Sequence, residues 1–255
     1  MNIVDILISP EGLGLVFVVV FLGSMIVFAV AGKNRPGQNL REIVAFSRLG
    51  KAVGLAVEAG KRLHISLGWG GVSGMQGVSG LLGLSVVERI ARLASISDRP
   101  PVVSSGEGTL GILSQDTLSK TYRTIGEARQ YDSGQGRVSG LTPFSYAAGV
   151  LPNIYDEQVS ATVLTGHFGS EVALIADASE RSDGLTLAGS DSIQAQAVMI
   201  AAAQEPLIGE ELYAAGAYIN AGPLHASSLR AQDIFRWVLV VIILVGAALK
   251  LVGLI

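Results

Sequence analysis

Three short polar loops, each with a glycine and each following a run that reads as a β-strand, carry the residue types a small-molecule site would need. Ser104-Ser105-Gly106-Glu107-Gly108 follows Val102-Val103, Gly166-His167-Phe168-Gly169-Ser170 follows a strand over 159–164, and Gly189-Ser190-Asp191 follows Leu185-Thr186-Leu187. Glycine lets backbone N–H groups approach a ligand closely, and the first N–H groups of a following helix attract anions. In an open α/β sheet, loops at the carboxyl ends of strands gather along one edge, where ligands bind. The candidate ligand-binding residues are therefore Ser104, Ser105, Gly106, Glu107, Gly166, His167, Gly169, Ser170, Gly189, Ser190 and Asp191. The ligand chemistry they suit is a nucleotide or another anionic small molecule. The 166–170 loop lacks the Walker A lysine and the full G-x-G-x-x-G pattern, and ordinary turns and caps use the same residue types.

Other chemistry finds less support. His167 and Glu171 stand four apart, which would present two metal ligands on one helical face, but the chain has only three histidines (64, 167 and 225) and no H-E-x-x-H. With no cysteine there is no thiol nucleophile, iron–sulfur centre or disulfide framework. No G-x-S-x-G nucleophile elbow occurs. Glu210 and Glu211 are adjacent, so on a helix their side chains diverge by ~100°. No catalytic residue, metal site or cofactor is specified at this level.

The elements that must position the three loops alternate. Short strands are expected at 64–67, 102–104, 137–141, 159–164 and 185–187. Helices are expected at 77–97, 109–131, 143–157, at 190–204 capped by Ser190, and at 209–219. The segment 170–179 reads as a helix, with a strand hairpinned to 185–187 as the alternative. Strands alternating with helices predict an α/β fold, Rossmann-like, with a mostly parallel sheet and flanking helices.

The ends of the chain differ from this pattern. Residues 12–31 carry no charge and residues 237–255 carry only Lys250, so each is long enough to cross a ~30 Å hydrocarbon core. The first is expected to be a retained anchor, because its leading residues contain Asp5 and Glu11 but no basic side chain. Residues 63–87 are uncharged except for His64 and raise the question of a third span. Their seven glycines and five polar residues argue against it, since glycine costs ~1 kcal/mol relative to alanine inside a helix. The composition agrees with membrane attachment: 49% hydrophobic, 15% charged and a mean hydropathy of +0.50.

The formal net charge of −3 hides a division. Residues 33–62 hold seven basic and two acidic side chains, whereas residues 63–233 hold nine basic and seventeen acidic ones. Lysine and arginine favour the cytoplasmic side. The expected organisation is thus a transmembrane anchor (1–32), a basic juxtamembrane helix (33–62) starting at an Asn39-Leu40-Arg41-Glu42 capping box, a cytoplasmic α/β domain (63–233) and a C-terminal transmembrane helix (234–255). Both termini would lie outside. The acidic domain disfavours nucleic acid as a partner.

Thr165-Gly166-His167-Phe168-Gly169-Ser170-Glu171, the run Leu207-Ile208-Gly209-Glu210-Glu211-Leu212-Tyr213-Ala214-Ala215-Gly216-Ala217-Tyr218, and Ser228-Leu229-Arg230-Ala231-Gln232-Asp233 resemble a family of bacterial membrane proteins known only as a domain of unknown function. The resemblance covers most of the chain and implies a bacterial membrane protein, which with the basic 33–62 segment gives an expected inner-membrane location. It implies no activity, cofactor or site residue. Two functional readings follow. In the first, small-residue helices (Ala195, Ala197, Ala201, Ala202, Ala203, Ala214, Ala215, Ala217) make the domain a self-assembling or docking scaffold, as a homo-oligomer or with a membrane-complex partner. In the second, the strand-end loops make it a ligand-binding sensor or enzyme.

Overall fold

The computed structural model describes residues 9–31, 40–74, 76–251 and 253. Two compact units divide the chain. One takes in the two end segments, up to Leu40 and from Gly222; the other is Arg41–Ala221.

The first unit contains α1 (Pro10–Ala31) and the last helix, α9 (Pro223–Leu251), both long and apolar enough to cross a membrane. Twenty-two and twenty-nine residues extend ~33 and ~44 Å at a ~1.5 Å rise. The apolar side chains of both are exposed, the reverse of a soluble core helix. The two helices meet through aromatic rings: Phe235 lies edge-on to Phe17 at 5.2 Å and beside Phe21 at 5.7 Å. Helix α9 starts at Pro223, earlier than the sequence suggested, with proline in the first turn where a missing N–H costs nothing.

The second unit is a six-stranded, wholly parallel sheet of β1 (Arg62–Gly68), β2 (Val102–Ser105), β3 (Gly136–Val138), β4 (Val159–His167), β5 (Leu185–Ser190) and β6 (Glu205–Leu207). Their spatial order is β3-β2-β1-β4-β5-β6. Parallel neighbours need crossovers, and helices supply them: α3 (Gln76–Leu93), α4 (Gly108–Thr124), α5 (Pro143–Tyr155), α6 (Val172–Arg181) and α7 (Ile193–Ala202). α8 (Glu211–Tyr218) follows β6, and α2 (Val44–Glu58) precedes β1. The expected Rossmann-like fold is the observed one.

Helices cover both faces, so the inner strands β1, β2, β4 and β5 are buried on both sides, while the edge strand β3 keeps Val138 exposed. Leu63, Ile65 and Leu67 of β1 join one core with side chains of α2, α3 and α4. Leu164, Phe168 and Ala188 join a second with Tyr146 and Val150 of α5, Ile175 of α6 and Met199 of α7.

Some expectations hold in detail and others need correction. The 63–87 stretch is β1, a turn and the first two-thirds of α3, not a span. Its glycines serve packing: a Cβ on Gly83 would lie 2.6 Å from Leu67 Cδ2 and 2.9 Å from Thr165 Oγ1, so α3 sits closer to the sheet than any other residue would allow. Asn39 of the proposed capping box lies outside the described residues. Helix α2 starts at Val44, with Ile43 as a cap that makes no side-chain hydrogen bond. That basic segment, set apart from the α/β domain by its charge, contributes Ala45, Leu49, Val53 and Ala56 to the first core. The helix expected over 170–179 forms as α6, and the alternative hairpin strand does not; because β4 runs on to His167, the helix opens two residues later, at Val172. Ser190 ends β5, and the cap of α7 is Ser192, whose side chain accepts from Ala195 N. The strand expected at 137–141 is the shorter β3, and α4 ends at Thr124 rather than near 131. Strand β6 carried no sequence signal: three residues with Pro206 in the middle, tolerated because the strand is at the sheet edge.

Candidate functional site

The strand order contains one reversal. From β1 the chain winds outward through β2 to β3, then crosses to β4 on the other side of β1 and winds outward again. At such a switch point the loops after the two central strands diverge to opposite faces and leave a crevice at the carboxyl edge. Here the strand order places such a crevice between the ends of β1 and β4, where Gly68 pairs with His167.

The β1 end is the glycine-rich turn Gly68-Trp69-Gly70-Gly71-Val72-Ser73-Gly74, which leads to α3. Gly68 has φ +74°, and a Cβ there would lie 2.2 Å from the carbonyl oxygen of His167, so the position accepts only glycine. Trp69 N donates to that same oxygen at 3.1 Å. The glycine spacing, G-x-G-x-x-x-G, departs from the dinucleotide fingerprint by one residue.

His167 closes the other side. Its ring lies edge-on to Trp69 at 5.0 Å, and its Nδ1 is 2.7 Å from Asp191 Oδ1. The second oxygen of Asp191 accepts from Ser79 Oγ of the first turn of α3 at 3.2 Å. A carboxylate on Nδ1 fixes the tautomer with the proton there and leaves Nε2 with its lone pair. Nε2 has no protein partner among the described residues, and the side chains of His167 and Asp191 keep 14% and 13% of their surface. The arrangement is an oriented imidazole able to accept or return a proton at Nε2.

Glu171 is buried, and its Oε1 accepts from Trp69 Nε1 at 2.8 Å and from Gly169 N at 2.7 Å. It anchors the indole. His167 therefore belongs with Asp191 and Glu171 with Trp69. The helical i, i+4 pairing of His167 with Glu171 does not form, because His167 ends a strand and Glu171 precedes α6. No cluster of three metal-binding side chains occurs among the described residues.

The eleven residues singled out in the sequence divide. Gly166, His167, Gly169, Ser190 and Asp191 come together at the ends of β4 and β5, joined where Ser190 Oγ accepts from Phe168 N at 3.2 Å. Gly106 reaches the same crevice from β2, its N donating to Gly68 O at 2.8 Å. Ser105 Oγ donates to Glu107 O. Glu107 caps α4, accepting from Leu110 N at 2.8 Å and from Thr109 Oγ1. Slight burial raises its pKa, but these hydrogen bonds outweigh it and hold the carboxyl below its usual range. Ser170 is exposed to solvent. Gly189 packs against Leu207 and Leu212 in the interior.

Ser104 lies in the interior too, within a second polar cluster on the α5 face. His64 Nε2 is 2.8 Å from Ser104 Oγ, and Tyr146 OH is 2.5 Å from Ser66 Oγ and 3.3 Å from Ser104 Oγ. Burial, with the Arg137 charge adding to it, lowers the His64 pKa to about 3; burial raises Tyr146 to about 12. All four side chains stay neutral near pH 7.

Sequence reasoning missed Trp69, Ser79 and the 68–74 turn. The signal was present: a glycine-dense run directly after an apparent strand and before an apparent helix.

No curated protein and no solved structure matches the chain. The chain belongs to the family described as Domain of unknown function (DUF6754), whose model matches residues 9–255.

Proposed function

We propose that this protein is a membrane-anchored, cytoplasmic ligand-binding domain that takes a nucleotide or similar anionic small molecule in the β1/β4 crevice. The observation that carries this reading is the glycine-rich turn of β1 at the topological switch point, facing the oriented His167–Asp191 pair. The turn leads into the N-terminus of α3, where backbone N–H groups and the helix dipole favour a phosphate. His167 Nε2 then stands beside the bound molecule as a proton acceptor or donor.

The docking or self-assembly reading drew on small-residue helices. Four of its eight alanines, Ala195, Ala214, Ala215 and Ala217, are buried within their own domain, and Ala197 and Ala201 are exposed, so the set does not form one continuous surface for a partner. Anchoring rests on α1 and α9. The cytoplasmic placement, in a bacterial inner membrane with both termini outside, rests on the basic residues between 33 and 62 and on the family resemblance.

The test is a thermal-shift series on the full chain with mono- and dinucleotides. A ligand at 100 times its Kd adds about 2.7 kcal/mol to stability. Gly71 has a Cβ position with only Glu107 Cγ nearby, at 3.9 Å, so Gly71→Asp places a negative charge in the crevice without a clash. The expected result is stabilisation that Gly71→Asp removes. No shift with any nucleotide, or an equal shift in the variant, overturns the reading.

A further inference from the structure

A second cavity lies in the helical layer of α2, α3 and α8. It has a volume of about 130 Å³, is partly open, and is walled by Leu49 and Val53 of α2 and Ile90 and Leu93 of α3. Phe46 and Tyr218 close one side as a parallel stack with centroids 5.1 Å apart. Arg89 starts thirteen residues into α3, which places it ~20 Å along the helix from the crevice end. The two sites are therefore separate, and this one stands whether or not the crevice binds a nucleotide.

Arg89 is the charged side chain of this mostly apolar lining, which also includes Asn220. Its Nε is buried without a hydrogen-bond partner, and the side chain makes no ion pair among the described residues. The neighbouring arginines are matched: Arg92 pairs with Glu88 at 2.8 Å, and Arg48 pairs with Glu205. Arg89 is partly buried, so its guanidinium is desolvated on the Nε edge only, and an anion seated there supplies the hydrogen-bond acceptor and counter-charge that edge lacks.

We infer that this cavity binds a single-chain carboxylate amphiphile, with the carboxylate on Arg89 and the first part of the hydrocarbon chain among Leu49, Val53, Ile90 and Leu93. The planar guanidinium matches a carboxylate with two parallel hydrogen bonds. The cavity is near the size that accepts one benzene-sized apolar group, so it takes the leading part of one chain and the remainder leaves through the open side. Two acyl chains of a phospholipid exceed it.

The experiment is photolabelling of the full chain in non-ionic detergent with diazirine-bearing dodecanoate and with the matching dodecanol. Dodecanoate is expected to label segments 46–53 and 89–93 at least tenfold more than dodecanol. Arg89→Met is expected to lower its labelling to the dodecanol level. Val53→Trp fills the cavity and is expected to abolish labelling by both probes, with folding checked by circular dichroism melts; should Arg89→Met not fold, Val53→Trp and competition by unlabelled dodecanoate decide. Equal labelling by the two probes, labelling elsewhere, or undiminished selectivity in Arg89→Met overturns the inference. Competition by phosphatidylglycerol but not by unlabelled dodecanoate assigns the cavity to a lipid headgroup and also overturns it.

Discussion

Two histidines on neighbouring strands, His64 of β1 and His167 of β4, have opposite situations. His64 and Thr162 are partners across β1 and β4, and His167 ends β4 five residues further on. Each histidine bonds an oxygen and lies near an aromatic side chain: Ser104 and Tyr146 for His64, Asp191 and Trp69 for His167. His64 is wholly buried under α5 and neutral, its pKa lowered to about 3, with one ring nitrogen lacking a partner. His167 stands at the open end of the sheet with a carboxylate on one nitrogen and the other available. Residue type does not separate a sealed-in histidine from one open to solvent. Position along the strand does, because the interior withholds water, while the strand end meets it.

Three experiments break or sharpen this contrast. The largest effect is expected from Tyr146→Ala, which empties a fully buried aromatic site and strands Ser66 Oγ, with a loss of ~3–5 kcal/mol in denaturant unfolding. Tyr146→Phe keeps the ring and should lose only ~1–3 kcal/mol, the share due to hydrogen bonding. A Tyr146→Phe loss equal to that of Tyr146→Ala would mean that the hydroxyl, rather than packing, holds α5 on the sheet.

The next effect is a pH dependence. The folded pKa of His64 is depressed below its unfolded value, so the unfolded chain binds the extra proton first as pH falls. Its contribution to stability is complete above the unfolded pKa of ~6.5, and stability falls steadily from there down to about 3. The total is on the order of a few kcal/mol. His64→Leu should flatten the stability profile across that window relative to the wild type, measured by urea unfolding at a series of pH values. Parallel profiles would place the acid sensitivity elsewhere.

The smallest stability change belongs to the crevice. Asp191→Asn keeps the shape and leaves an oxygen for Nδ1, so unfolding should shift by ~1 kcal/mol or less. The nucleotide-dependent thermal shift and any turnover should nevertheless be lost, because the amide no longer stabilises a protonated imidazole. A large loss of stability with unchanged ligand response would make the pair structural, like the cluster around His64.

Much of the scaffold was legible in the residues. Strand β4 reads as Val159-Ser160-Ala161-Thr162-Val163-Leu164, buried on both faces and rich in β-branched side chains, and the alternation with helices signalled a parallel sheet. The two apolar ends were visible from length and charge alone. The 68–83 glycines were counted but not placed, because glycine density reads alike in a close helix–sheet contact and a strand-end turn. The small strand Glu205-Pro206-Leu207 is too short to show any period, and its identity comes from pairing with Leu187–Gly189.

Local sequence, then, determined the element order, the apolar end helices and the strand-end loops at β4 and β5, since these depend on periodicity, length and turn chemistry within a few residues. The placement of β1 between β2 and β4 was decided by tertiary structure, and with it the crevice. Ser79 meets Asp191 across 112 residues and Trp69 meets Glu171 across 102. Such contacts follow from strand order, which arises from packing both helical layers against one sheet, and no short window of sequence contains that information. The same reason hid the matching of Arg48 and Arg92 and the isolation of Arg89: charge counts record how many ions a chain has, and only folding decides which of them find a partner.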